Sequence, residues 1–270
     1  MSLAARLREK SQDNILLFAD ALILAEQCNV DLLKLEQTAL ENNIWPERYQ
    51  RHRDIFSPAQ QHQLLVSIVA IVGCGGLGGQ VFEEFIRLGV GRIIAIDPDC
   101  FAAHNLNRQL LCTVEELGRF KVQAAVRRAR SVNPAVQVTP LAQSFSVDIH
   151  NEVRQAQVVI DCLDSVADRH ELAEFCRSSR IPLVHGAVEK WFGQIGVQKK
   201  SNLIKNLYPQ IPPQDKITIP SVLSCTVAAV ASLQVAETIK LLLHLDSPLR
   251  DNWKSVDLLN CEIEALDAQP

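Results

Sequence analysis

Apolar residues recur at helical spacing between residues 13 and 43: Ile15, Leu16, Ala19, Leu22 and Ile23, then Leu32, Leu33, Leu35 and Leu40. Asn29 and Asp31 can open the second of these helices, and Asn42, Asn43 and Pro46 end the pattern. The spacing predicts a helical N-terminal extension over residues 1–45, docked on the remainder of the chain. The pattern then changes. Residues 64–72 form a nearly continuous apolar run rich in Val and Ile, as expected of a strand buried on both faces. A glycine cluster comes next, and residues 80–88 read as a helix.

From there strands and helices alternate. Residues 92–96 read as a strand and 115–131 as a helix stopped by Asn133-Pro134. Residues 136–141 and 158–163 give two more strands, 166–178 a helix, and 182–188 another strand. This order predicts parallel pairing through right-handed crossovers, hence a doubly wound, Rossmann-like α/β domain over residues 46–270. Residues 194–198 begin a further strand, and residues 200–220, with four prolines, read as an exposed loop. A long apolar helix over 222–244 and short strands near Val256 and Ile263 complete the chain. The sheet is expected to be mixed: mostly parallel, with antiparallel strands late in the sequence.

Composition narrows the partners. A net charge of -4 over 270 residues offers no broad attraction for nucleic acid or acidic lipid. Residues 1–10 carry Arg6, Arg8 and Lys10 without the apolar core of a secretion signal. The apolar stretch at 222–236 is interrupted by Ser224, Thr226, Ser232 and Gln234, so no membrane anchor is expected. The eight cysteines are never closer than 12 positions, which excludes CxxC motifs. They read as reduced, mostly buried thiols of a cytoplasmic protein.

The candidate chemistry begins at the glycine cluster. Gly73, Gly75 and Gly78 make G-x-G-x-x-G between a strand and a helix, a turn that brings backbone N–H groups and a helix N-terminus against phosphate. Asp97 closes the next strand, where a carboxylate can accept ribose hydroxyls. These features indicate an adenine nucleotide and do not separate NAD from ATP. The next residues do. Asp99, the run Asn105-Leu106-Asn107-Arg108-Gln109, and Lys121 supply a polar, cationic set that hydride transfer does not need and phosphate transfer does. Asp164, at the end of the strand at 158–163, belongs on the same side of a parallel sheet, where a carboxylate beside triphosphate holds Mg2+.

The segments IVGCGGLGGQ, IDPDCFAAHNLNRQLL, Gly118 followed by Lys121, DCLDSVADR and SLQVAETIKLL, in this order, resemble the ThiF/MoeB/HesA family. These are bacterial relatives of the ubiquitin-activating enzymes. The resemblance implies a homodimer that uses ATP to adenylate the C-terminal glycine of a small ubiquitin-like sulfur-carrier protein ending in Gly-Gly. It implies that Gly75 and Gly76 lie under the phosphates and that Asp97 takes the ribose. Asn105, Arg108 and Lys121 would contact the triphosphate, and Asp164 would bind Mg2+. Gln109 and Ser165, the latter where the family usually has Asn, complete the expected nucleotide site. Arg48-Tyr49-Gln50-Arg51 resembles an Arg-Tyr-x-Arg element, which nominates Arg51 as an arginine reaching the partner subunit's nucleotide, with Arg53 as its rival.

Two family features are missing. No CxxC pairs stand near the last helix, so structural zinc is not expected. The 200–220 loop holds no cysteine to receive the activated carrier, and Cys225 reads as a packing thiol. Activation of a small-molecule or tRNA-linked carboxylate stays open as an alternative, as does a non-catalytic adaptor. An NAD-dependent oxidoreductase is disfavoured by Arg108 and Lys121.

Overall fold

The computed structural model describes residues 1–211 and 221–264. The N-terminal part holds α1 (Leu3–Lys10), β1 (Ile15–Leu16), α2 (Phe18–Cys28), α3 (Leu32–Glu41) and β2 (Trp45–Pro46). Ile15 and Leu16 do not join a helix, because they pair in parallel with Trp45 and Pro46. Asp31 does open α3, its Oδ1 accepting the Lys34 N–H at 2.7 Å. Asn29 instead ends α2 in the left-handed conformation.

A short 3-10 helix, Glu47–His52, leads to α4 (Pro58–Val66) and β3 (Ile68–Val72). The apolar run at 64–72 is therefore split between a helix end and a strand. Ser57 and Gln60 form a capping box with Pro58 at the first helical position, a start signal stronger than the β-propensity of the apolar residues after it. Next come α5 (Gly76–Leu88), β4 (Arg92–Ile96), α6 (Lys121–Val132), β5 (Gln137–Leu141), α7 (His150–Val153) and β6 (Val158–Asp161). The helix expected over 115–131 begins only at Lys121. Residues Val114–Glu116 form a 3-10 turn, and Gly118 sits at φ +77°. The remaining elements are α8 (Val166–Ser179), β7 (Leu183–Glu189), β8 (Phe192–Gln198), α9 (Leu203–Leu207), α10 (Ser224–Leu242), β9 (Asn252–Asp257) and β10 (Glu262–Glu264). The expected loop at 200–220 contains α9, and its portion 212–220 lies outside the described residues.

Among the described residues, eight strands make one sheet in the order β10-β9-β8-β7-β6-β3-β4-β5. Pairing is parallel from β7 to β5 and antiparallel from β7 to β10, which is the mixed sheet expected. Both faces of β3 are covered. Val69 and Ile71 join the core under α5, α6 and α10, while Ala70 and Val72 join the core under α7 and α8. The chain runs outward from β3 to β4 and β5, then returns to place β6 on the other side of β3. A crevice must open at that reversal, beyond the carboxyl ends of β3 and β6.

α10 is long and apolar enough to cross a membrane by length and composition, yet 56% of its apolar window is buried. Val227, Val230, Ala231 and Val235 on this helix belong to the same core as Ile195 and Val197 of β8. The N-terminal helices carry their own core, in which Leu7, Leu16, Leu35, Leu40 and Tyr49 meet Leu65 and Ala135 of the α/β part. Tyr49 is fully buried, and its hydroxyl accepts from Asn133 Nδ2 at 2.8 Å. Arg48 hydrogen-bonds Asn133 and pairs with Glu36 at 3.4 Å. The first half of the Arg-Tyr-x-Arg element is thus built into the joint between extension and sheet.

Candidate active site

The turn after β3 needs glycine for two separate reasons. Gly73 has φ +92°, and a Cβ there would stand 2.6 Å from the Cys162 carbonyl oxygen, because β3 and β6 are neighbours at the reversal. Gly78 lies inside α5, where a Cβ would meet the Gly73 carbonyl oxygen at 1.8 Å. These two glycines let the strand and helix close on each other. Gly75, which caps α5, and Gly76, its first residue, face a cavity of about 670 Å3. The N-terminus of α5 thereby offers free N–H groups to an anion in that cavity. Gly73 also lines it, and Gly78 does not.

Asp97 ties the turn to the next strand. Its Oδ2 accepts the Cys74 N–H at 2.7 Å and its Oδ1 accepts the Asp99 N–H at 2.8 Å. Lys121, the first residue of α6, sets its ammonium 2.8 Å from Asp99 Oδ2 and 3.4 Å from Asp97. Burial pulls the Lys121 pKa down, but Asp97 and Asp99 outweigh it and hold the value above the ordinary lysine range. Arg108 reaches the cavity from the following loop, steadied by Nη1 bonds to the His104 carbonyl at 3.0 Å and Asn107 Oδ1 at 2.9 Å.

Asp164 and Asp168 also line the cavity, both exposed around the first turn of α8. The structure therefore brings Gly75, Gly76, Asp97, Asp99, Arg108, Gln109, Lys121 and Asp164 around one space. Besides Gly78, three nominated residues sit differently. Asn105 is buried behind the loop, its Oδ1 accepting the Ala102 N–H at 2.9 Å, and does not line the cavity. Ser165 caps α8, accepting the Asp168 N–H at 3.4 Å, and is also outside the lining. Arg51 lies exposed on the 3-10 helix of residues 47–52, away from the cavity wall of its own chain.

Several lining residues escaped the sequence reading. Gln143 to Phe145 come from the loop after β5, and Phe192, Gln194 and Trp253 from the antiparallel strands. Nothing local marks Phe192, Gln194 and Trp253, since tertiary pairing alone brings β8 and β9 to the crevice. With them runs a largely buried polar cluster, of which Arg169, Gln194 and Tyr208 also line the cavity. Asp161 Oδ2 is 2.7 Å from His185 Nδ1 and 3.6 Å from Arg169 Nε. Tyr208 donates its hydroxyl proton to Gln194 Oε1 at 2.8 Å, with His185 Nε2 at 3.2 Å. Burial pushes the His185 pKa below the ordinary value, although Asp161 pulls the other way. Asp161 and Arg169 stand in the DCLDSVADR segment, which was the available signal.

The cysteines split. Cys74 and Cys162 are driven by burial to pKa values above the ordinary thiol range. Cys225, expected to be a packing thiol, is instead exposed, because it falls in the first turn of α10 before that helix meets the sheet.

Residues 49–270 match the ThiF family. The SAMP-activating enzyme E1 of Haloferax volcanii is 34% identical over 243 residues, covering 87% of this chain and 87% of the archaeal one. The sulfur carrier protein ThiS adenylyltransferase of Escherichia coli is 32% identical over 193 residues, covering 70% of this chain and 77% of its own. Among solved structures, Escherichia coli MccB with ATP superposes with a TM-score of 0.69 at 18% identity, over 98% of this chain and 86% of that one.

Proposed function

The chain belongs to the ThiF family, and on that premise we propose that it adenylates the C-terminal carboxylate of a small ubiquitin-like sulfur-carrier protein ending in Gly-Gly. The observation that carries the reading is the meeting of Arg108, Lys121 and Asp164 with Gly75 and Gly76 around one cavity. A carboxylate oxygen attacks the α-phosphorus of ATP, an acyl–phosphate bond forms, the bond to the β-phosphate oxygen breaks, and pyrophosphate leaves. No protein nucleophile is needed. The names of the archaeal and bacterial relatives, a SAMP-activating enzyme and a ThiS adenylyltransferase, support this substrate class.

The chain's own residues do three things. The N-terminus of α5 and the amides of Gly75 and Gly76 cradle phosphate, with no side chain in the way. Arg108 and Lys121 meet the charge that grows on the phosphate oxygens and on departing pyrophosphate. Lys121 is held between Asp97 and Asp99, so its ammonium is already aimed before nucleotide arrives. Asp164, with Asp168 four residues on, presents hard carboxylate oxygens to the same cavity as those cations, a donor set that suits Mg2+. When bound, Mg2+ neutralises charge on the nucleotide phosphates.

The reading extends to a cytoplasmic homodimer in which Arg51 approaches the partner subunit's phosphates. Its exposure and its place outside the lining of its own chain's cavity support action in trans. Eight free thiols fit a reducing compartment. Pyrophosphate exchange into ATP, assayed with Gly-Gly-ending carrier proteins from the same genome, tests the function. Exchange that needs the carrier supports it; tight NAD binding with no exchange for any carrier would remove it.

A further inference from the structure

We propose that Arg169 is a positioning residue that fixes the peptide unit carrying Asp164, and through it the seat of Mg2+ on the nucleotide. The inference rests on the proposed adenylation site and deepens it.

Leu163 sits between β6 and Asp164, and both of its polar backbone groups are held by side chains. Its N–H donates to Asp161 Oδ1 at 3.0 Å, and its carbonyl accepts from Arg169 Nη2. The two clamping side chains are themselves paired, Arg169 Nε lying 3.6 Å from Asp161 Oδ2. The carbonyl of Leu163 and the N–H of Asp164 share one rigid plane. The guanidinium therefore sets the direction in which the exposed Asp164 side chain leaves the backbone.

The clamp is anchored on every side. Asp161 has no exposure at all and is bonded by His185 Nδ1 at 2.7 Å. Arg169 Nη1 donates to the Tyr208 hydroxyl at 3.3 Å, and its guanidinium lies over the Tyr208 ring at 5.3 Å. Tyr208 is in turn held by Gln194 at 2.8 Å. A buried ion pair adds little stability over apolar residues of the same volume, so stability alone gives no reason for this arrangement. Orientation does. A planar fork can reach Leu163, Asp161 and Tyr208 together, whereas the single ammonium of a lysine cannot.

Isothermal titration of ATP into the full chain, with Mg2+ and again in EDTA, tests the clamp. For Arg169→Lys, the gain in ATP affinity on adding Mg2+ should shrink by roughly tenfold or more. Affinity in EDTA should stay within about threefold of wild type. The half-saturating Mg2+ concentration for pyrophosphate exchange should rise in parallel. A residue with a merely structural role would weaken ATP equally in both buffers, and that result overturns the proposal. Should Arg169→Lys fail to fold, Tyr208→Phe, which removes only one anchor, decides: the Mg2+ requirement should rise by roughly two- to fivefold, and an unchanged requirement overturns the proposal. If wild type gains no affinity from Mg2+, the role given to Asp164 falls and this inference with it. If wild type gains and Arg169→Lys gains equally, only the role of Arg169 is lost.

Discussion

The proposed adenylation site rests on single residues held by contacts that neighbours have already arranged. Arg108 hangs from the His104 carbonyl and Asn107, so truncation removes charge without disturbing a core. Arg108→Ala is expected to fold normally and to lose about 100-fold or more in carrier-dependent pyrophosphate exchange. Exchange at the wild-type rate would remove Arg108 from the mechanism. Gly78 stands at the other extreme. Its missing Cβ leaves room for the Gly73 carbonyl, which would be met at 1.8 Å. Gly78→Ala should therefore cost roughly 3 kcal/mol or more, read as a lowered midpoint in urea unfolding. Both residues are named by the sequence, and the family resemblance already singles out Gly75 and Gly76 for the phosphates. In the structure Gly73 and Gly78 serve closure, and among the glycines of this turn Gly75 and Gly76 combine exposure to the cavity with a place at the helix N-terminus. Asn105 and Ser165 were nominated for the nucleotide, yet each hydrogen-bonds local backbone, which short polar side chains do readily.

At the scale of elements, the joint between α3 and the sheet is sensitive to pH. Glu36 on α3 has 1% exposure, and burial pushes its carboxyl up to about 7, partly opposed by Arg48 and Tyr49. A carboxyl whose folded pKa lies above its unfolded value binds more protons in the folded state. Its contribution is fully present below pH about 4.5 and is lost as pH rises through about 7. Wild type should thus lose melting temperature relative to Glu36→Gln between pH 5 and pH 8 by several degrees, since each kcal/mol moves a domain of this size by roughly 2–4 °C. Parallel melting curves for the two proteins across that range would show the carboxylate to be well solvated or fully paired, against this account. Element boundaries obeyed the same division between local and distant control. The residue range of β4 agreed with the reading because its apolar run is bounded by Gly91 and Asp97. The run at 64–72 was split because a capping box at Ser57 carries α4 through Val66. Ile15 and Leu16 left their helical pattern because Trp45 and Pro46, 30 residues away, offered a parallel partner.

For the whole molecule, the proposed nucleotide site is not lined by Arg51, the arginine that the Arg-Tyr-x-Arg element nominates. Arg48 and Tyr49 are consumed in the joint, and Arg51 faces solvent. If the protein is a homodimer with Arg51 acting across it, mixing Arg108→Ala with Arg51→Ala subunits should restore activity to about a quarter of wild type. Half of the dimers are then mixed, and each mixed dimer keeps one intact site. Activity no greater than that of either variant alone would exclude a trans role. The sequence by itself determined the alternation of strands and helices, the glycine turn, and the acid and cations that face it, because periodicity, caps and short motifs are encoded within a few residues of one another. It could not supply the far wall of the cavity. Phe192, Gln194 and Trp253 reach the site only because β8 and β9 pair antiparallel onto β7 and bring it residues from far along the chain. Nor could it show that Asp161, Arg169 and His185 close on one another, since that depends on β6 and β7 lying side by side. Local free energy writes the elements; which of them become neighbours is decided by burying both faces of one sheet at once.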